Sequence, residues 1–251
     1  PYGAREPYYK VLQKRGTAIY VEKPVARTAA EHVQLNKQFC HSKFAIGFQR
    51  RSLGAVSLLK RMVLTQVFGG LKRIEFRHGG TANVFSGKAF SSDPKLAGGG
   101  GVFEHGIHGL DLALFISGAT SADSYRVNTI IEKGFDVHAE GLITLSNRSN
   151  VFDLDFKVTW LTEVLEGLTF FFDNAVVSMP IGNPAVVVKS LNGQILMSLT
   201  DSTILHPSTG FQSLGEFWRN FIIAIQNRTE NYTSTSSYLL TTEVIENIYL
   251  M

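Results

Sequence analysis

Residues 17–48 read TAIYVEKPVARTAAEHVQLNKQFCHSKFAIGF. TAIYV (17–21) is a short apolar, β-branched and aromatic run, the pattern of a buried strand. Glu22-Lys23-Pro24 ends it, since proline restricts the residue before it and cannot donate to a ladder. Thr28 then offers an N-cap with Glu31 three residues on, and the segment TAAEHVQLNKQFC sets Ala29, Val33, Leu35 and Phe39 near one helical face. A second short run, KFAIGF (43–48), follows almost at once. Strand, helix and strand at this spacing predict a βαβ unit with parallel strands and a right-handed crossover. Residues 6–15, polar and helix-compatible, precede it.

From Leu71 the texture changes, because extended runs follow one another with turn residues rather than helices between them. The runs at 71–78, 124–131, 137–146, 151–160, 165–172, 175–181, 185–190 and 194–200 all read as strands. VFDLDFKVTW (151–160) alternates apolar and polar residues, as an antiparallel strand with one covered face does. Asp173-Asn174 is a hairpin signal. Helices over 211–226 and 237–250 close the chain. The predicted fold class is therefore α/β followed by α+β, with the change at about residue 50.

The chain has 251 residues, of which 44% are hydrophobic and 18% charged, the balance of a globular protein of one or two domains. A formal net charge of +3 is too small to suggest a nucleic-acid-tracking surface. The single cysteine, Cys40, excludes an internal disulfide and a Cys-based metal site, which points to a reducing, cytoplasmic setting. No apolar run reaches the ~18 residues of a membrane span. Neither nucleic acid nor membrane is expected as a partner. Three Asn-x-Ser/Thr matches, at Asn147, Asn227 and Asn231, are a pattern common by chance and carry no weight here.

Three places carry chemistry. Lys23 directly follows a strand, and in open α/β sheets ligands bind at the carboxyl ends of strands; the same residues also read as a solvated strand end. Gln49, Arg50 and Arg51 end the second strand in the same way, as a ligand-facing group or a basic surface turn. Gly98–Gly101 is a run of four glycines, which marks positive φ or a close approach to the backbone. After it, Glu104, His108 and Asp111 fall at i, i+4 and i+7 and share a helical face. A carboxylate one turn from an imidazole can orient it and raise its pKa, as a general acid/base needs; the alternative is an ordinary helix pair worth ~0.2–0.5 kcal/mol. A divalent ion shared by His105 and His108 is a weaker reading, because the order of groups does not match a zincin helix, and no metal is expected.

EKP (22–24), GFQRR (47–51) and GGGGVFEHGIHGLDLALF (98–115), in that order, resemble the Gfo/Idh/MocA family, the glucose-fructose oxidoreductase and inositol dehydrogenase group. The resemblance covers nearly the whole chain. It implies a Rossmann domain that binds NAD or NADP, followed by a C-terminal domain with a large, mostly antiparallel β-sheet covered by helices. Here residues 1–50 would be the C-terminal part of the Rossmann domain and residues 51–251 the oxidoreductase domain. The implied reaction is hydride transfer between the nicotinamide and a hydroxyl or carbonyl of a sugar, polyol or similar small molecule.

By the same resemblance Lys23, Glu104 and His108 are catalytic, with His108 the acid/base, Glu104 orienting it and Lys23 at the nicotinamide and reacting oxygen. Glu22, Lys23, Pro24 and Gln49 would bind cofactor, Arg50, Arg51 and His105 would bind substrate, and the glycine run would let substrate approach the backbone. Arg50 or Arg51 would grip a carboxylate or phosphate. The sequence departs from the family in having Glu104 where Asp is usual and Gln49 where Asn often stands. It also contains no G-x-G-x-x-G loop to receive a pyrophosphate, so it resembles a member lacking the first part of its dinucleotide domain. The other reading is a non-catalytic relative that keeps the sheet for assembly or ligand binding. In either case the sheet is expected to form a homo-oligomer.

Overall fold

The computed structural model describes residues 4–39, 43–81, 93–180, 185–200, 203–229, 233–234 and 236–251. Cys40 and the end of the run at 175–181 lie outside them.

The N-terminal part is the predicted βαβ unit: α1 (Glu6–Arg15), β1 (Ile19–Val21), α2 (Ala29–Gln38) and β2 (Phe44–Ile46), with β1 and β2 parallel. Thr28 caps α2 through a hydrogen bond from Glu31 N to its Oγ1 (3.1 Å), while Glu31 Oε2 accepts from Arg27 N at 3.0 Å. The buried face of α2 differs from the one expected. It runs through His32, Leu35 and Phe39, and Val33 is only half-buried. His32 can be inside because Thr242 Oγ1 meets its Nδ1 at 2.7 Å.

After a 3₁₀ turn, Gln49–Ser52, come α3 (Gly54–Leu64) and β3 (Leu71–Gly79). A short α4 (Pro94–Ala97) and a π-helical turn, Val102–Gly106, lead into α5 (Ile107–Ser117). Seven strands follow: β4 (Ser121–Glu132), β5 (Phe135–Ser146), β6 (Val151–Thr159), β7 (Gly167–Phe172), β8 (Val176–Met179), β9 (Val186–Lys189) and β10 (Ile195–Leu199). Then come α6 (Gly210–Asn227) and α7 (Leu239–Leu250). The large sheet has the order β10-β9-β8-β7-β3-β6-β5-β4, and every neighbouring pair is antiparallel except β3 with β6.

Strand burial follows the alternation in the sequence. Phe152, Leu154, Phe156 and Val158 of β6 point into the core under α5, and Asp153, Asp155 and Lys157 face the other way. A fully buried Phe or Leu contributes about 1.5–3 kcal/mol, so this face holds the sheet to its helices. The opposite face is charged rather than apolar: Arg77 pairs with Asp155 at 2.8 Å and Lys157 with Glu140 at 3.2 Å. One apolar cluster joins both parts of the chain, including Tyr9 and Phe44 as well as Phe76, Ile107 and Phe170. No helix among the described residues is long and apolar enough to cross a membrane.

Candidate active site

The site forms where the carboxyl ends of strands from both sheets meet. Lys23 leaves β1 and Gln49 and Arg50 leave β2, so the parallel pair delivers all three to one edge. From the large sheet, the parallel register of β3 with β6 puts His78 beside Val158, and Trp160 just beyond, at the same end. The antiparallel register of Arg77 with Gly167 brings Glu166 opposite His78. The π-turn and α5 supply Glu104, His105 and His108.

Lys23, joined to Pro24 by a cis peptide bond, donates from Nζ to the backbone carbonyl of Glu104 and so ties the β1 edge to the π-turn. Burial lowers the Lys23 pKa, and Arg50 lowers it further; Glu104 and Glu22 oppose the shift. His108 stands edge-on to Phe48 with ring centroids 5.9 Å apart. Its Nδ1 is buried without a hydrogen-bond partner among the described residues. Burial first, then the charges of Lys23 and Arg50, push its pKa down to about 2, so the ring is neutral at physiological pH.

Glu104 is where the expectation fails. Its side chain makes no hydrogen bond or ion pair with His108 among the described residues. Its carboxylate is exposed, and the groups that feel its charge are Lys23 and His105. The i, i+4 spacing fixes a shared face but not depth: α5 enters the core, leaving Glu104 on the rim and His108 one turn further in. Asp111, the third residue of the expected face, is fully buried. It accepts from Arg51 Nε at 2.8 Å and from Arg51 Nη2, and takes a third bond from Thr241 Oγ1 at 3.1 Å. Arg51 is itself buried, with its guanidinium 4.6 Å from the Phe115 ring centroid. The assignment of Arg51 to substrate is therefore corrected: it is a structural ion pair inside the protein.

Arg50, its neighbour, stays half-buried at the site, and its side chain makes no hydrogen bond or ion pair among the described residues. Gln49 begins the 3₁₀ turn, half-buried, and Pro24 is buried. Glu22 is exposed and accepts from Tyr20 Oη; its carboxylate lies over Gly47, where a Cβ would meet it at 2.6 Å.

The glycine run also serves a different purpose from the one expected. A Cβ on Gly100 would lie 2.4 Å from the Asp136 carbonyl oxygen, and one on Gly99 2.5 Å from Tyr249 Oη. Asp136 of β5 accepts from Gly100 N and Val102 N, both at 2.6 Å, and from Tyr249 Oη. The glycines let the chain close onto this buried carboxylate, which fixes the start of the π-turn.

Sequence reasoning missed the far wall of the site. His78 Nδ1 lies 2.9 Å from Glu166 Oε1, and its ring stacks on His105 with centroids 5.2 Å apart and planes at 21°. Trp160 Nε1 donates to His105 Nδ1 at 3.3 Å. Burial lowers the pKa of both histidines. No group of three or more His, Cys, Asp or Glu side chains among the described residues is placed to hold a metal ion. A groove of about 610 Å³ between α1 and α2 contains none of the residues of this site.

The family resemblance implies a nicotinamide cofactor, and the residues fit it in part. Lys23, just past the end of β1, lies near enough to His108 of α5 for its charge to lower the pKa of the ring. The described residues provide no glycine-rich strand-to-helix turn for its pyrophosphate.

No protein-family model matches the chain, and no curated sequence matches it. Solved structures do. An inositol dehydrogenase homolog complexed with NAD+ from Azotobacter vinelandii superposes with a TM-score of 0.83 at 12% identity, over 98% of this chain and 72% of that one. Aldose-aldose oxidoreductase from Caulobacter crescentus, complexed with glycerol, gives 0.82 at 16% identity over 100% and 74%. An oxidoreductase from Agrobacterium radiobacter in complex with NAD+, L-tartaric acid and magnesium gives 0.75 at 17% identity over 100% and 75%. The chain thus has the fold of the Gfo/Idh/MocA-type oxidoreductases that the sequence resembles.

Proposed function

We propose that this chain forms the substrate side of a nicotinamide-dependent oxidoreductase acting on a hydroxyl or carbonyl of a sugar, polyol or related small molecule. The observation that carries the proposal is the convergence of Lys23, from the end of β1, with His108, from α5, at one edge shared by the two sheets. Residues 1–50 are taken as the cofactor-facing part and residues 51–251 as the substrate-facing part, with Glu22, Pro24 and Gln49 lining the cofactor side. When bound, the nicotinamide supplies or accepts the hydride.

The chain's own residues manage the oxygen and its proton. Lys23 donates to the reacting oxygen and stabilises negative charge on it. His108, neutral in the resting site, exchanges the hydroxyl proton through the edge of its ring that solvent reaches. Because burial and two cations disfavour its imidazolium, a proton taken up there is passed on rather than retained. Glu104 acts from the rim through Lys23, whose charge it supports. Assembly with a second copy through the large sheet stands as part of the proposal, and such an interface would be polar, since the open face carries ion pairs.

The test is a set of variants assayed in a protein that joins this chain to a complete dinucleotide-binding half. His108→Ala is expected to lower turnover by ~10²–10⁴ fold with cofactor affinity nearly unchanged, because proton transfer is made only in the transition state. Lys23→Ala is expected to reduce both turnover and cofactor affinity, and Glu104→Gln to cost less than either. Unchanged turnover in His108→Ala would remove His108 from the chemistry.

A further inference from the structure

We propose that the site selects a substrate whose reacting hydroxyl stands beside a carboxylate, held by the Arg50 guanidinium and the His105 Nε2–H. The proposal rests on the reading of Lys23 and His108 as the reacting end, and it names what lies next to that end.

The first observation is the tautomer of His105. An indole N–H can only donate, so the 3.3 Å bond from Trp160 requires a lone pair on His105 Nδ1. The ring is neutral because burial disfavours its charged form. Its proton is therefore on Nε2, and His105 offers the site a fixed donor. The stacked His78 ring, itself bonded to Glu166, stops His105 from turning.

The second observation is the state of the charges. Arg50 has five N–H donors and, among the described residues, no acceptor for any of them. Its charge lowers the pKa of Lys23, His78 and His108, so it lies among the same side chains. Lys23 commits one N–H to the Glu104 carbonyl and keeps two. The nearby acids offset these cations by charge alone, Glu166 at Arg50 and Glu104 and Glu22 at Lys23, and none of their carboxylates accepts a hydrogen bond from them among the described residues. Glu166 is bonded to His78 at 2.9 Å, the Glu104 side chain is exposed at the rim, and Asp111 and Asp136 are buried in bonds of their own.

Arg50, Lys23 and His105 therefore present donors without acceptors. Their complement is a group that only accepts, and the planar guanidinium fork matches a carboxylate with two parallel hydrogen bonds. A neutral hydroxyl would match only part of the Arg50 fork and leave its other donors without an acceptor. A phosphate ester shares the oxyanion chemistry, and the probes below separate the two.

The experiment titrates the full chain with L-tartrate, L-threitol (the same carbon skeleton without carboxylates) and glycerol 3-phosphate. Affinity is read by calorimetry, and His105 and His108 by ring ¹⁵N resonances. L-Tartrate is expected to bind at least about tenfold more tightly than L-threitol and to shift the His108 ring. Arg50→Gln should abolish most of that ratio while leaving L-threitol binding in place. The His105 ring should report a bare Nδ1, and Trp160→Phe should weaken L-tartrate; if that variant does not fold, His105→Phe makes the same test, with His105→Gln restoring a donor. Equal affinity for L-tartrate and L-threitol, tighter binding of glycerol 3-phosphate, an unaffected ratio in Arg50→Gln, or a protonated Nδ1 on His105 would each overturn the carboxylate assignment. If His108 shifts equally with L-tartrate and L-threitol, only the selectivity falls. If no probe moves His108, the reading of the reacting end falls with it.

Discussion

Arg50 and Arg51 are adjacent in sequence and opposite in fate. A 3₁₀ turn rotates successive side chains by about 120°, so one guanidinium is left at the site while the next turns into the core. The sequence offers one clue to this, in α5. Asp111 is the single charge in IHGLDLALFIS (107–117), and a lone carboxylate on a helix apolar all round must find a buried partner. The partner's identity depends on packing and is not readable from spacing. Breaking the pair leaves an uncompensated charge inside, so Asp111→Ala is expected to lower unfolding free energy by about 3–5 kcal/mol, measured by urea denaturation. Joint replacement by Arg51→Met and Asp111→Leu should recover most of that loss. A change below about 1 kcal/mol in Asp111→Ala would show that solvent reaches the pair.

Elements were legible where a period repeats. The strands of the large sheet follow their two-residue alternation closely, and α2, with the Thr28–Glu31 cap, begins where its signal places it. By contrast, α3 carries no capping signal in the sequence: Leu53 occupies the N-cap without a side-chain hydrogen bond. The glycine run announced a close approach correctly but could not say to what, since Asp136 and Tyr249 arrive from 36 and 149 residues beyond Gly100. The same close packing continues in α5, where a Cβ on Gly109 would lie 2.1 Å from the Phe76 ring of β3. Gly109→Ala should therefore cost about 1–3 kcal/mol by overpacking, against the gain in helix propensity that alanine normally brings. Phe76→Leu in the same chain should return part of the loss. A stabilised Gly109→Ala would mean that α5 can lift from the sheet without penalty.

At the scale of the molecule, the site is a meeting of segments far apart in sequence, and that limited what the sequence could disclose. Lys23 and His108 stand out in the sequence because each sits in a local motif. His78, Trp160 and Glu166 belong to none, and they come together only through the parallel pairing of β3 with β6 and the antiparallel pairing of β3 with β7. Gathering three half-buried histidines has a consequence for the whole fold. Burial lowers the pKa of His78, His105 and His108, the last to about 2 from an ordinary 6.5. Below about pH 6.5 the unfolded chain then binds protons that the folded chain refuses, so the stability these groups contribute is complete above that pH and is lost as pH falls. For His108 the slope approaches about 1.4 kcal/mol per pH unit. The carboxyls of Asp136 and Glu243 are shifted up, so they act in the opposite sense; the interval from about pH 7.5 to 5.5 brackets the ordinary histidine value, and the share of His108 is the part of the dependence that its replacement removes. The urea midpoint is expected to fall across that interval, and His108→Asn should flatten the dependence. A wild-type midpoint that holds steady from about pH 7.5 to 5.5 would mean that the rings can be protonated in place, and that the cleft is open to water in a way the buried Nδ1 of His108 contradicts.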